Sequence, residues 1–182
     1  MKLVIVFLLF TLIINSNALS AKAPEDNHYQ PIVIQTPASK PMPTSTKTPI
    51  DPNIERLDRK LKGALRGKGT VFVQCSFEYK VDPILVASIS MLESKNGTSQ
   101  WTRDYNNIGG LYGNSGRPST FDSVDECIRY MCKTLRTMYY DEGLTTPEEI
   151  GPKYCPVGDP RDTKGLNKDW IKCVKKLVEG ME

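Results

Sequence analysis

The sequence predicts a mainly α domain beginning near Asp51. Apolar residues beyond that point return at helical spacing, capping residues stand ahead of these runs, and Gly or Asn-Gly closes several of them. Between the helices, Asn96 to Phe121 reads as an irregular, Gly-rich segment.

Each element has its own warrant. Ile54, Leu57, Leu61 and Leu65 follow Asp51-Pro52, where Pro suits the first helical position, and Gly67 and Gly69 close the segment. Thr70 to Lys80, with Val71, Phe72, Val73 and Phe77, is short and apolar, and its β-branched residues also suit a strand. Asp82-Pro83 caps a helix over Ile84 to Ser94 that Asn96-Gly97 can end. Ser123-Val124-Asp125-Glu126 is a capping box ahead of Cys127, Ile128, Met131, Leu135 and Met138, giving a long helix to about Tyr140. Thr146-Pro147-Glu148-Glu149 repeats the box for a short helix. Trp170, Ile171, Val174 and Leu177 mark a further helix stopped by Gly180.

The first fifty residues read differently. Met1-Lys2, the apolar run Leu3 to Ile14 and the small residues up to Ala21 fit a secretory signal, with an uncleaved membrane anchor as the alternative. Residues 22–50 are rich in Pro and Thr and hold few large apolar side chains, so they read as a linker. The folded domain is then expected at 51–182. Secretion or a place in the cell envelope follows, with residues 3–14 as the only membrane contact.

Composition removes several function classes. With 24 Lys and Arg against 21 Asp and Glu, the net charge of +3 advertises no nucleic-acid partner. The single histidine, His28, lies outside the expected domain, which argues against Ser-His-Asp and Cys-His hydrolases and against zinc amidases. No cofactor is expected, and the spacing of Cys75, Cys127, Cys132, Cys155 and Cys173 proposes no metal site. Five is odd, so at least one cysteine lacks an internal partner. Cys127 and Cys132 point different ways on one helix, and Cys155 with Cys173 is the first choice for a disulfide.

One acid stands out. Glu93 ends an almost uncharged helix, and a carboxyl held against apolar side chains resists ionisation and keeps a donatable proton near neutrality. Glycosidases need such a proton. Downstream, Asp104-Tyr105-Asn106-Asn107-Ile108-Gly109-Gly110 offers polar side chains and flexible backbone suited to a sugar cleft.

Leu92-Glu93-Ser94, Asn96-Gly97-Thr98-Ser99, the Asp104 to Gly110 segment and Tyr154-Cys155-Pro156 together resemble the endo-β-N-acetylglucosaminidase family of the lysozyme-like superfamily, also described as mannosyl-glycoprotein endo-β-N-acetylglucosaminidase-like. The likeness spans roughly Asp51 to Leu177. It implies that Glu93 is the general acid, that Asn106, Asn107 and Gly109 match an Asn-Asn-(apolar)-Gly signature, and that Tyr154 matches a family tyrosine. Cys155 stands where the family usually has Ala. The implied reaction is hydrolysis of a β-1,4 bond on the reducing side of N-acetylglucosamine, with bacterial peptidoglycan or another N-acetylglucosamine-containing glycan as the partner. Asp104, Asp122, Asp125 and Glu126 are candidate second carboxylates, and the substrate's own N-acetyl group could serve instead.

Plainer explanations stand beside these. Glu93 could be a solvated residue of a last helical turn, Asn106 and Asn107 ordinary turn residues, and Tyr154 a packing residue. Asp122 to Glu126 suit helix capping. Trp101 is as well explained by packing, whereas Tyr105 and Tyr112 are kept as sugar-stacking candidates. The rival functions are a lytic transglycosylase or muramidase of similar fold and a noncatalytic glycan-binding domain.

Overall fold

The computed structural model describes residues 51–113, 116–160 and 162–181; the expected signal, linker and His28 lie outside them. Among the described residues the fold is mainly α, as expected, with seven α-helices, three short 3₁₀ turns and one isolated β-bridge between Tyr112 and Pro118.

Helix α1 covers Pro52–Lys60, capped by the Asp51 carboxylate, which accepts the Asn53 N–H. The expected helix through Leu65 stops early, and the cause is Asn96-Gly97. The Asn96 side chain accepts from Lys62 N–H and donates to Lys60 O, both at 3.0 Å, taking over partners that a continuing helix would use. Gly63 then turns at φ +52 against the Gly97 backbone, and Ala64 N–H donates to Gly97 O at 3.0 Å. Leu61 and Leu65 still reach the core, so their spacing reported burial correctly but not helix length.

The ambiguous segment is helical: α2 covers Gly69–Tyr79 and buries Phe72 and Cys75. Helix α3, Pro83–Ser94, starts at Asp82, whose carboxylate accepts from Ile84 N–H at 2.7 Å and Leu85 N–H at 3.3 Å. Every residue from Ile84 to Met91 is buried. A helix surrounded in this way has apolar residues around its whole circumference, and α3 is the central one. It packs on α1 and α2, on α5 (Val124–Met138) and on α7 (Trp170–Glu179).

The stretch expected to be irregular contains one further helix, α4, Gln100–Tyr105. Ser99 caps it by accepting the Thr102 N–H, and Asn106 ends it at φ +52. Ser123 caps α5, yet Glu126 turns its carboxylate to Asp122 N–H at 2.7 Å instead of completing the box at Ser123. A 3₁₀ turn, Tyr140–Glu142, follows. Helix α6, Pro147–Tyr154, has the full capping box of Thr146 and Glu149 and packs on α7.

The disulfide differs from the expected one. Cys75 of α2 bonds Cys132 of α5, while Cys127, Cys155 and Cys173 are thiols. Cys155 turns into the core at the end of α6, whereas Cys173 lies half-buried on α7. A bridge between positions 57 residues apart stabilises the fold by about 4 kcal/mol in the chain-entropy account. No helix among the described residues is long and apolar enough to cross a membrane.

Candidate active site

Glu93 occupies the last turn of α3, half-buried like Leu92 before it and followed by the buried Ser94. Its Oε1 accepts the indole N–H of Trp170 at 3.2 Å. Burial raises the Glu93 carboxyl to about 8, opposed by the smaller pull of that N–H. A negative charge at this helix end would also oppose the macrodipole, which favours the neutral acid further. Glu93 therefore holds a proton at neutral pH.

Trp170 opens α7 and is itself buried. Its ring stacks on Tyr154, the last residue of α6, with centroids 4.8 Å apart and planes 28° apart, and Tyr139 lies 5.9 Å beyond. Gly151 permits this closeness: a Cβ there would sit 2.5 Å from Ile171 Cγ1 and 3.4 Å from Trp170 Cε3. Burial holds the Tyr154 hydroxyl well above its ordinary value, and the Glu93 charge pushes it the same way. Cys155, one residue on, is raised by burial first and by Glu93 next, so it stays a thiol. Trp170 thus links the two residues, its indole N–H on Glu93 and its ring on Tyr154.

The segment after α4 approaches Glu93 through Gly110. Asn107 is almost fully buried, and its side chain fills four hydrogen bonds. It donates to Leu111 O at 2.7 Å and Ser119 O at 3.0 Å, and accepts from Gly109 N–H at 3.3 Å and Leu111 N–H at 3.0 Å. Asn106 donates to Phe121 O at 2.9 Å. Both asparagines thus shape the loop. Gly109 lies against α5, where a Cβ would come within 2.9 Å of Met131 Sδ. Gly110, at φ +63, stands next to the acid: a Cβ there would be 3.1 Å from Glu93 Oε2. Behind this loop, burial pushes the Cys127 thiol up to about 12 against the pull of the Ile108 and Gly109 backbone. An apolar recess lined by Leu111, Met131, Thr134 and Tyr154 opens beside it.

Tyr105 and Tyr112 are half-buried along the same segment, and Tyr112 meets Trp101 edge to face at 4.9 Å. The four candidate carboxylates serve elsewhere or face solvent. Asp125 pairs with Lys68 at 2.6 Å, Glu126 binds the Asp122 backbone, and Asp104 and Asp122 are exposed. Among the described residues no group of three or more His, Cys, Asp or Glu side chains could hold a metal ion.

Sequence reasoning missed two residues. Trp170 was read only as a helix marker, yet a buried indole N–H needs an acceptor, and Glu93 was the one acid expected in apolar surroundings. Gly110 was read only as flexible backbone.

No family model matches the chain. Over 85 residues it is 32% identical to proteins named "Putative endo-beta-N-acetylglucosaminidase" from two strains of Streptococcus pneumoniae; the match covers 44% of this chain and 13% or 12% of those proteins. The chain therefore spans only a small part of those relatives. Among solved structures, S. aureus autolysin E in complex with the muropeptide NAM-L-Ala-D-iGlu shares 20% identity at a TM-score of 0.53, over 70% of this chain and 65% of that one. A catalytic Glu-to-Ala mutant of autolysin E in complex with the disaccharide NAG-NAM matches over the same shares, again at 20% identity, with a TM-score of 0.55. A type VI secretion system effector-immunity complex from Pseudomonas protegens matches at 13% identity and a TM-score of 0.50, over 71% of this chain and 93% of that one. The chain thus has the fold of autolysin E and, over an 85-residue segment, resembles the S. pneumoniae proteins bearing the glucosaminidase name.

Proposed function

We propose that this chain is a cell-wall glycan hydrolase that cleaves β-1,4 bonds at N-acetylglucosamine in bacterial peptidoglycan, with Glu93 as general acid. The observation that carries this reading is the Glu93 carboxyl, raised by burial to about 8 and bonded to the Trp170 indole. The resemblance to proteins with the glucosaminidase name, and the muropeptide and disaccharide bound to structures of like fold, point to the same substrate class.

In the proposed reaction Glu93 gives its proton to the glycosidic oxygen while the bond from that oxygen to the anomeric carbon breaks. The electron pair leaves with the oxygen, and the sugar becomes oxocarbenium-like. The candidate second carboxylates are committed to an ion pair or a backbone cap or face solvent, which favours the substrate's acetamido oxygen as the group that stabilises the cation. Water then adds at the anomeric carbon and returns a proton to Glu93. Tyr154 lines the acid's surroundings, Asn106, Asn107 and Gly109 hold the loop after α4 in shape, and Tyr105 at the end of α4 and Tyr112 on that loop, both half-buried, would contact the sugar. Residues 1–21 would export or anchor the chain, residues 22–50 would tether it, and 51–182 would carry the activity at the cell envelope.

The test is Glu93→Gln on purified peptidoglycan. The amide keeps the shape and cannot act as the acid, so activity should fall by about 100- to 10,000-fold. Borohydride reduction of the parent's products followed by mass spectrometry should yield glucosaminitol. Muramitol would indicate a muramidase, anhydromuramic ends a lytic transglycosylase, and no new ends a binding domain. A Glu93→Gln variant as active as the parent would end the reading.

A further inference from the structure

The two oxygens of Glu93 have different neighbours. Oε1 accepts the Trp170 N–H at 3.2 Å. An indole nitrogen only donates, so this oxygen must offer a lone pair, and in a protonated carboxyl the carbonyl oxygen is the better acceptor. That leaves the proton to Oε2. Oε2 faces Gly110, where a side chain would begin 3.1 Å away. An oxygen that takes the proton stands about 2.5–3.0 Å from its donor oxygen, so a side chain beginning at Gly110 would crowd that approach. The absence of a Cβ keeps that place open.

We propose that Trp170 and Gly110 aim the Glu93 proton: Trp170 occupies Oε1 so that Oε2 carries the hydrogen, and Gly110 leaves the approach to Oε2 clear for the glycosidic oxygen. The inference rests on Glu93 being the general acid. Trp170 is a positioning residue, held in plane by its stack on Tyr154 and brought close by Gly151. From α6, Tyr154 and Cys155 are the titratable groups that interact electrostatically with Glu93, and burial keeps both neutral, so neither competes as a charge.

The chain has two tryptophans, and the other, Trp101, pairs with Tyr112, which makes it an internal control. In ¹⁵N-labelled full-length protein the Trp170 indole signal should move with pH as Glu93 ionises, the Trp101 signal should not move with it, and the movement should vanish in Glu93→Gln. In Trp170→Phe, which keeps the stack, the acid loses a donor that favours its charged form. The alkaline limb of the rate profile should therefore shift to higher pH, while turnover falls by about 10- to 100-fold through lost aim. Gly110→Ala should lower peptidoglycan turnover by about 100-fold yet keep the indole titration. Gly143→Ala is the control for backbone strain: it lies at φ +82 with nothing within 4 Å, and should stay within about two-fold of the parent.

A flat Trp170 signal in an active parent overturns the aiming alone, as does a Gly110→Ala variant that keeps half the parent's turnover. A Trp170→Phe variant with the parent's pH profile also overturns it. A parent that leaves peptidoglycan intact overturns the functional reading, and the aiming with it.

Discussion

Because burial pushes Glu93 to about 8, the acid is mostly protonated at pH 7, and turnover should fall as pH rises through that value. Stability carries the same signature. The folded state retains a proton that the unfolded chain releases near the ordinary value of 4.5, so stability is full below that value and declines as pH rises towards 8. Its partial exposure discounts the size of the effect, leaving about 1–3 kcal/mol by pH 7. Glu93→Gln, always neutral, should melt above the parent at pH 7 and match it at pH 4, as scanning calorimetry at the two pH values will show. A gain of equal size at both would remove the linkage. Glu93 was legible in the sequence because a lone acid in an apolar run has few innocent explanations. Trp170 was not, since its indole meets the acid across 77 residues of chain, and local spacing does not encode such a contact. Asn107 was singled out through the resemblance, but its four loop bonds depend on Leu111 and Ser119 reaching it.

Elements were most readable where capping chemistry is local. Asp82, Ser123 and Thr146 each cap the helix that their sequence announced. The misreadings arose where another segment intervened: Asn96-Gly97 cut α1 short, and α4 emerged from a stretch whose glycines had argued against regular structure. The approach of α6 to α7 is a further tertiary event. Gly151 makes room for Ile171 there, with a Cβ 2.5 Å from Ile171 Cγ1, so Gly151→Ala should separate the helices and cost about 1–3 kcal/mol in urea denaturation. Turnover should fall with it, because α7 carries Trp170. Unchanged stability in that variant would show that Ile171 can move aside.

For the whole molecule, the buried residues run from Leu57 to Met181 and join every described α-helix except the short α4 through one apolar cluster. A chain beginning at Pro49 should accordingly keep its helical circular dichroism, melt within a few degrees of the full chain and retain turnover on soluble fragments. Loss of helicity would show that the earlier segment packs on the domain. The separation of Glu93 from Trp170 also bears on folding kinetics. Contacts between distant residues close late, because loop entropy must be spent before the contact repays it. Until α7 docks on α3, Glu93 lacks the Trp170 indole as a partner. On the proposed reading an incompletely folded chain would lack the aimed proton, and the docking of one helix would arm it.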